Sequence, residues 1–215
     1  MTPAKTDAII FDLDGTLWDT CASCAEAWNR VLQRNNISFR AVTDQDVRKV
    51  TGLSHRECIE KTFSSLSQNE IETIVRETEF EDNMAIKELG GVLYDGVIEG
   101  IEEMKDFYPL YIVSNCQAGY IEQFLEFSQL GSFFKDFECW GNTQLPKNKN
   151  IDLLRQRNSL KNPVYIGDTL GDKVAAGRAK IPFYFVEYGF GEVEHANTFS
   201  SFLSLTHHFL KNAKA

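Results

Sequence analysis

Basic side chains are scarce in this chain relative to acidic ones: 22 Lys and Arg stand against 31 Asp and Glu, a formal net charge of −9. An acidic balance of that size argues against a nucleic-acid-binding surface. It also sets a problem for any anionic substrate, which needs local cations inside its site. Long apolar runs are missing too, and none approaches the roughly 20 residues that cross a membrane. The opening Met-Thr-Pro-Ala-Lys-Thr-Asp lacks the apolar region and cleavage site of a signal peptide. Cysteines are few, odd in number and scattered: Cys21, Cys24, Cys58, Cys116 and Cys139. Five cannot all pair with one another, so reduced thiols and a cytoplasmic location are expected. Cys21-x-x-Cys24 has no second pair or histidine cluster to complete a zinc site and reads as small residues packed on a helix. Repeats and low-complexity stretches are also absent.

What is present is an ordinary globular composition, 43% hydrophobic and 25% charged, ample for a core. One stretch organises the rest. Ile9, Ile10 and Phe11 form an apolar, β-branched run that stops at Asp12; Asp14 follows, and Gly15-Thr16 breaks the strand pattern. Such a run reads as a buried parallel strand that delivers two acids to its C-terminal end, where open α/β sheets bind ligands. On a strand, residues two apart point the same way, but a turn after Asp12 would re-aim Asp14. Two carboxylates this close call for a cation, and hard oxygen ligands favour magnesium.

Asp12-Leu13-Asp14-Gly15-Thr16 resembles the first motif of the haloacid dehalogenase-like hydrolase superfamily, whose phosphatases carry Asp-x-Asp-Gly-Thr after their first strand. Beyond it, Asp19-Thr20 can cap a helix, and Ala27, Trp28, Val31 and Leu32 recur at helical spacing. Thr43-x-x-Asp46, Ser54-x-x-Glu57 and Ser67-x-x-Glu70 are three further capping signals, the last opening a long helix that Gly90-Gly91 ends. Residues 20–94 therefore read as a helical block without a strand. From there the pattern alternates: a helix near 98–105, strands at 109–114, 137–140, 163–168 and 183–186, and helices at 118–127, 151–157, 173–179 and 198–210. Alternation implies a parallel sheet covered on both faces. The expected fold is α/β, a Rossmann-like three-layer core (1–19 and 95–215) with an inserted all-helical cap domain (20–94), the arrangement the resembled family uses when its cap lies between its first two motifs.

Three later segments match the family in order. Ser114-Asn115 ends a strand and resembles its second motif, where a hydroxyl and an exposed backbone N–H bind a phosphate oxygen; capping of the next helix is the alternative. Lys147 and Lys149 flank Asn148 near a helix start, and the pattern Lys147-x-x-Asn150-Ile151 favours Lys147 as the lysine that meets both phosphate and nucleophile. Gly167-Asp168-Thr169-Leu170-Gly171-Asp172 resembles the Gly-Asp-x-x-x-Asp motif, with Asp168 assigned to the metal and Asp172 to its support.

The resemblance implies a Mg2+-dependent hydrolase of small phosphorylated metabolites, similar in motif order to phosphoglycolate phosphatases. Asp12 would form an aspartyl-phosphate while Asp14 serves as acid and then base. Asp12, the backbone carbonyl of Asp14 and Asp168, supported by Asp172, would hold the metal; Thr16, Ser114, Asn115 and Lys147 would bind the phosphoryl group. Ser54 and Arg56, with His55 between them, are candidates for reaching the substrate from the cap, and Trp18 for narrowing its pocket. His195, His207 and His208 read as surface or packing residues, and Tyr188-Gly-Phe-Gly191 as lid or turn. A β-phosphoglucomutase-type mutase is the alternative, since Gly52-Leu53-Ser54-His55-Arg56 is similar to its cap element but displaced by one residue. A haloacid dehalogenase fits less well, because a departing halide needs no acid at Asp14. No obligate protein partner is indicated.

Overall fold

Ala8, Ile9, Ile10 and Phe11 are all fully buried, which demands cover on both faces of a sheet and neighbours on both edges. A computed structural model, which describes residues 5–213, supplies both. In chain order its elements are β1 (Ala8–Phe11), β2 (Trp18–Asp19), α1 (Cys21–Arg34), α2 (Asp44–Arg48), α3 (His55–Thr62), α4 (Gln68–Leu89), β3 (Val92–Leu93), α5 (Val97–Met104), β4 (Leu110–Ser114), α6 (Tyr120–Ser128), β5 (Phe134–Cys139), α7 (Trp140–Thr143), α8 (Lys147–Arg157), β6 (Pro163–Gly167), α9 (Leu170–Ala179), β7 (Phe183–Val186), β8 (Thr198–Phe199) and α10 (Phe202–Ala213). The expected core segments also include residues 1–4 and 214–215, which lie outside the described residues.

Six strands form one parallel sheet in the order β5-β4-β1-β6-β7-β8. Side chains alternate along β1, so Ile9 and Phe11 join a core that includes Ile101, Phe124, Phe202 and Phe209. Ala8 and Ile10 face Ile151, Leu154, Ala175 and Ala176 of α8 and α9. The result is a three-layer α/β core of Rossmann-like type. Phe11 pairs with Ile112 on one side and Ile166 on the other. The residues that follow these strands, Asp12, Asn115 and Asp168, therefore emerge together at the sheet's C-terminal edge, with Ser114 as the last residue of β4.

Between β2 and β3 lie four helices, α1 to α4, with α1 laid along α4. All three capping boxes form as the sequence signals, at Thr43/Asp46, Ser54/Glu57 and Ser67/Glu70. Two short elements depart from the expected pattern. Trp18–Asp19 pairs antiparallel with Val92–Leu93, so the chain leaves and re-enters this helical layer through a two-stranded ribbon. Thr198–Phe199, expected to open the last helix, is instead a sixth strand beside β7, and the helix starts at Phe202. Strands of two residues carry no readable period. Two helices also start earlier than expected, at Lys147 and Leu170, because polar first turns hide the onset of an apolar stripe.

All five cysteines are free, and every one but Cys58 is buried. Among the described residues no helix is long and apolar enough to cross a membrane. Trp18 does not narrow a pocket, contrary to expectation. It is fully buried, with Tyr120 and Phe124 edge-on at 5.8 and 5.1 Å between ring centroids. Its place is the joint between ribbon and core. Replacing it should open a large void there: Trp18→Ala is expected to lose about 3–5 kcal/mol of stability in urea denaturation.

Candidate active site

Asp12 continues β1, its N–H donating to the Ile166 carbonyl at 2.8 Å, so its side chain is aimed by the sheet ladder itself. Lys147, the first residue of α8, reaches it from the neighbouring crossover: Nζ lies 2.8 Å from Asp12 Oδ1 and 2.6 Å from Asp172 Oδ1. All three side chains are at least 95% buried. Burial works against the charge on Lys147, but its bonds and attraction to the Asp12 and Asp172 carboxyl groups more than offset it and hold its pKa above the usual range. Buried Asn150 fixes the loop ahead of α8, donating to the Leu145 carbonyl and accepting from Thr143 Oγ1 at 2.7 Å.

Asp12, Asp168 and Asp172 each offer a carboxylate oxygen within 4.8 Å of the others. Burial raises the pKa of Asp12 and, further, of Asp168; nearby Asp172 adds to both. Asp172 has both oxygens committed, Oδ1 to Lys147 and Oδ2 to the N–H and hydroxyl of Thr169 in a capping box. Asp12 gives Oδ1 to Lys147, and Asp168 accepts from Phe190 N–H at Oδ2 and, at 3.5 Å, from Thr16 Oγ1 at Oδ1. Three buried carboxyl groups against one ammonium could not all ionise without a further cation. Hard oxygen donors so arranged suit a cation such as Mg2+, so the residues present fit that group.

Asp168 is seated by the segment after β7. Phe190 N–H donates to its Oδ2 at 2.7 Å, and Tyr188 donates its hydroxyl to the Thr16 carbonyl at 2.8 Å. Gly15 and Gly189 make the close approach possible: a Cβ at Gly15, where φ is +82°, would stand 2.1 Å from Asp168 Oδ2, and one at Gly189 2.4 Å from the Gly15 carbonyl. Tyr188–Gly191 is thus a brace for Asp168. Phe190 also stacks under the Arg48 guanidinium of α2, 4.7 Å from its centroid, and Arg48 pairs with Asp19.

Asp14 faces the other way. A tight turn, closed by Leu17 N–H on the Leu13 carbonyl at 2.8 Å and Gly15 N–H on that of Trp18 at 2.9 Å, re-aims it towards the helical layer. There its Oδ1 accepts from Tyr120 Oη at 2.8 Å and Thr20 Oγ1 at 3.2 Å. Thr20 does begin α1, but its hydroxyl serves Asp14, and Asp19 accepts from the Cys21 N–H instead. Burial raises Asp14 to about 6, with the Tyr120 and Thr20 hydroxyls pulling the other way. Two acids two residues apart thus meet unlike surroundings.

A cavity of about 70 Å³ lies between the sheet edge and the helical layer, lined on the sheet side by Asp12, Asp14, Ser114, Asn115 and Lys147. Asn115 spans it, donating from Nδ2 to the Gly52 carbonyl at 2.9 Å. Several sequence candidates are elsewhere. Thr16 is fully buried beneath the cavity with Oγ1 3.5 Å from Asp168, so it steadies that acid and does not face a ligand. Ser54 is spent on its capping box with Glu57, and Arg56 points outward to Glu60 and Glu72. Lys149 is exposed, 3.9 Å from Asp152. From the helical layer it is instead His55 and Asp82 that line the cavity, with Gln117, Tyr120 and Thr20 from the core side and ribbon. Buried polar residues on otherwise apolar helix faces were the only signal for Asp82 and Tyr120.

Residues 9–186 match the model of the haloacid dehalogenase-like hydrolase family. Two curated relatives are phosphoglycolate phosphatases: that of Colwellia psychrerythraea is 29% identical, covering 91% of this chain and 90% of its own, and that of Vibrio parahaemolyticus is 26% identical, covering 90% and 89%. The fold is also that of a haloacid dehalogenase-like family hydrolase from Streptococcus pneumoniae, with a TM-score of 0.81 at 23% identity over 95% of this chain and 98% of the other. With a match that takes in the strand of Asp12, Lys147 and the strand of Asp168, this chain belongs to the haloacid dehalogenase-like hydrolase family.

Proposed function

We propose that the protein is a Mg2+-dependent phosphomonoester hydrolase acting on a small phosphorylated metabolite, the reaction class of its phosphoglycolate phosphatase relatives. The observation that carries this reading is the division of labour between two adjacent acids. Asp12 lies against an ammonium among other carboxylates, while Asp14 is turned to the cavity and held by two hydroxyls. Residues 20–94 would act as a cap over a core formed by 1–19 and 95–215.

In the first step an Asp12 carboxylate oxygen attacks phosphorus in line, the bond to the leaving oxygen breaks, and that oxygen takes a proton from Asp14. In the second, Asp14 removes a proton from water, the water oxygen attacks phosphorus, and the bond to Asp12 breaks to free phosphate and restore the carboxylate. Lys147 balances charge on Asp12 and, with Ser114 and the backbone at Asn115, positions the phosphoryl oxygens. Asp12 and Asp168, with the backbone carbonyl of Asp14, would hold Mg2+, which when bound offsets repulsion between the nucleophile and the phosphate. Asp172 holds Lys147 in place.

A pKa of about 6 suits an acid that must give up and regain a proton near neutrality. A mutase reading loses its cap contact, since Ser54 and Arg56 are engaged away from the cavity. A halide leaving group would leave the hydroxyl-bound Asp14 without a task.

Asp12→Asn should lower phosphate release from p-nitrophenyl phosphate by on the order of 10³-fold or more, whereas Lys149→Ala should stay near wild type. EDTA should silence the enzyme and added Mg2+ restore it; full turnover in metal-free buffer would contradict the scheme. Tyr120→Phe removes a donor that favours ionised Asp14, so the Asp14 pKa should rise. The protonated acid then persists to higher pH, and the alkaline limb of kcat/KM should move up by roughly half a unit to one unit.

A further inference from the structure

The wall of the cavity opposite the phosphoryl site has a polarity that the relatives' substrate does not explain. His55, the first residue of α3, places Nε2 2.9 Å from Thr78 Oγ1. The Thr78 hydroxyl has one proton, and at 2.7 Å from the Ile74 carbonyl, which can only accept, that proton is already given. Nε2 must therefore carry the imidazole hydrogen, and Nδ1 is a bare acceptor; it is buried and has no partner among the described residues. Asp82 of α4 stands beside it, Oδ2 at 3.6 Å from Nε2 and accepting from Gln117 Nε2 at 3.3 Å, while its Oδ1 has no partner of good geometry. The Trp28 indole lies close to Asp82, but its N–H makes no well-aligned bond and Trp28 does not line the cavity. Both His55 and Asp82 have side chains 96% buried, and both line the cavity.

Among the described residues no cation answers them. Lys147 is the only Lys or Arg among the residues lining the cavity, and its ammonium is shared by Asp12 and Asp172. Arg48 is paired with Asp19, and Arg56 with Glu60 and Glu72. Burial pushes His55 down to about 4, so it is neutral at pH 7. A carboxylate on the leaving group, as in phosphoglycolate, would be desolvated against the His55 lone pair with no cation on this wall to pair with it. A hydroxyl would instead donate to the bare His55 Nδ1, and an ammonium beside Asp82 would favour its ionised form against the burial that raises it well above the carboxylate range.

Resting on the phosphatase reading above, we propose that His55 and Asp82 select a leaving group rich in hydrogen-bond donors, so that the substrate is a phosphorylated polyol or amino alcohol and not a phosphorylated hydroxy acid.

The test compares kcat/KM with Mg2+ for glycerol 3-phosphate, phosphoethanolamine and 2-phosphoglycolate, with p-nitrophenyl phosphate as a reference that engages neither group. At least one donor-bearing ester should exceed 2-phosphoglycolate by roughly tenfold or more. A lead for phosphoethanolamine identifies an ammonium against Asp82, and a lead for glycerol 3-phosphate a hydroxyl. Asp82→Asn and His55→Gln should each shrink that preference several-fold, chiefly through KM; a merely structural role would lower all four substrates by one common factor. Preference for 2-phosphoglycolate in an enzyme that cleaves p-nitrophenyl phosphate overturns this inference alone, as does a preference that both variants leave intact. Failure to release phosphate from any of the four overturns the phosphatase reading and the inference with it.

Discussion

Buried negative charge at the end of one strand is the constraint on which the rest of this molecule depends. Three carboxylates, on Asp12, Asp168 and Asp172, share a space of a few ångströms with a single ammonium, that of Lys147. Such a group would disperse or stay protonated if it were not over-determined by its surroundings. Parallel register brings the ends of β1 and β6 level, the capping box at Thr169 fixes Asp172, Asn150 sets the start of α8, and the brace at Tyr188–Gly191 closes on Asp168 through two glycines. Each device is local, yet all of them act on the same few oxygens. That convergence is what makes a hard cation and a phosphoryl group the natural complements of the site.

The helical layer does something different. The ribbon of Trp18–Asp19 with Val92–Leu93 anchors it to the core at a joint filled by Trp18, and the Asn115–Gly52 bond ties the loop before α3 to the end of β4. Through that placement the cavity acquires its second wall, while the hydroxyl partners of Asp14 come from Tyr120 of α6 and Thr20 at the end of the ribbon. Environment, and not residue type, separates the two aspartates of the first motif: one is matched with an ammonium, the other with neutral donors in a buried pocket. The same logic extends to Asp82, which has no ammonium partner among the described residues.

What could be read from the sequence follows from where each residue sits along the chain. Asp12, Ser114 and Asp168 end or follow apolar strands, so periodicity set them at strand ends before any coordinates, whereas Lys147 and Asp172, in helices that start earlier than their periodicity showed, were picked out by the resembled motifs. The capping boxes were legible for the same reason: a cap is a relation between residues three apart. Thr16, Trp18, Ser54 and Arg56 misled because nearness in sequence to a motif, or to a helix start, does not say which way a side chain turns. Asp82, His55, Tyr120 and Gln117 were hard to assign for the converse reason. They come from three separate stretches of the chain, and only the packing of α3 and α4 against α6 and the loop before it decides which side chains meet. Strands β2, β3 and β8 span two residues each, too few to show alternation.

The most direct measurement is to trap the covalent state. Enzyme mixed with substrate and Mg2+, quenched in acid during turnover and digested, should yield a phosphoryl adduct on the peptide carrying Asp12, with no adduct in Asp12→Asn. Turnover that proceeds with the phosphoryl group on another residue would contradict the central claim that this strand-end carboxylate is the nucleophile.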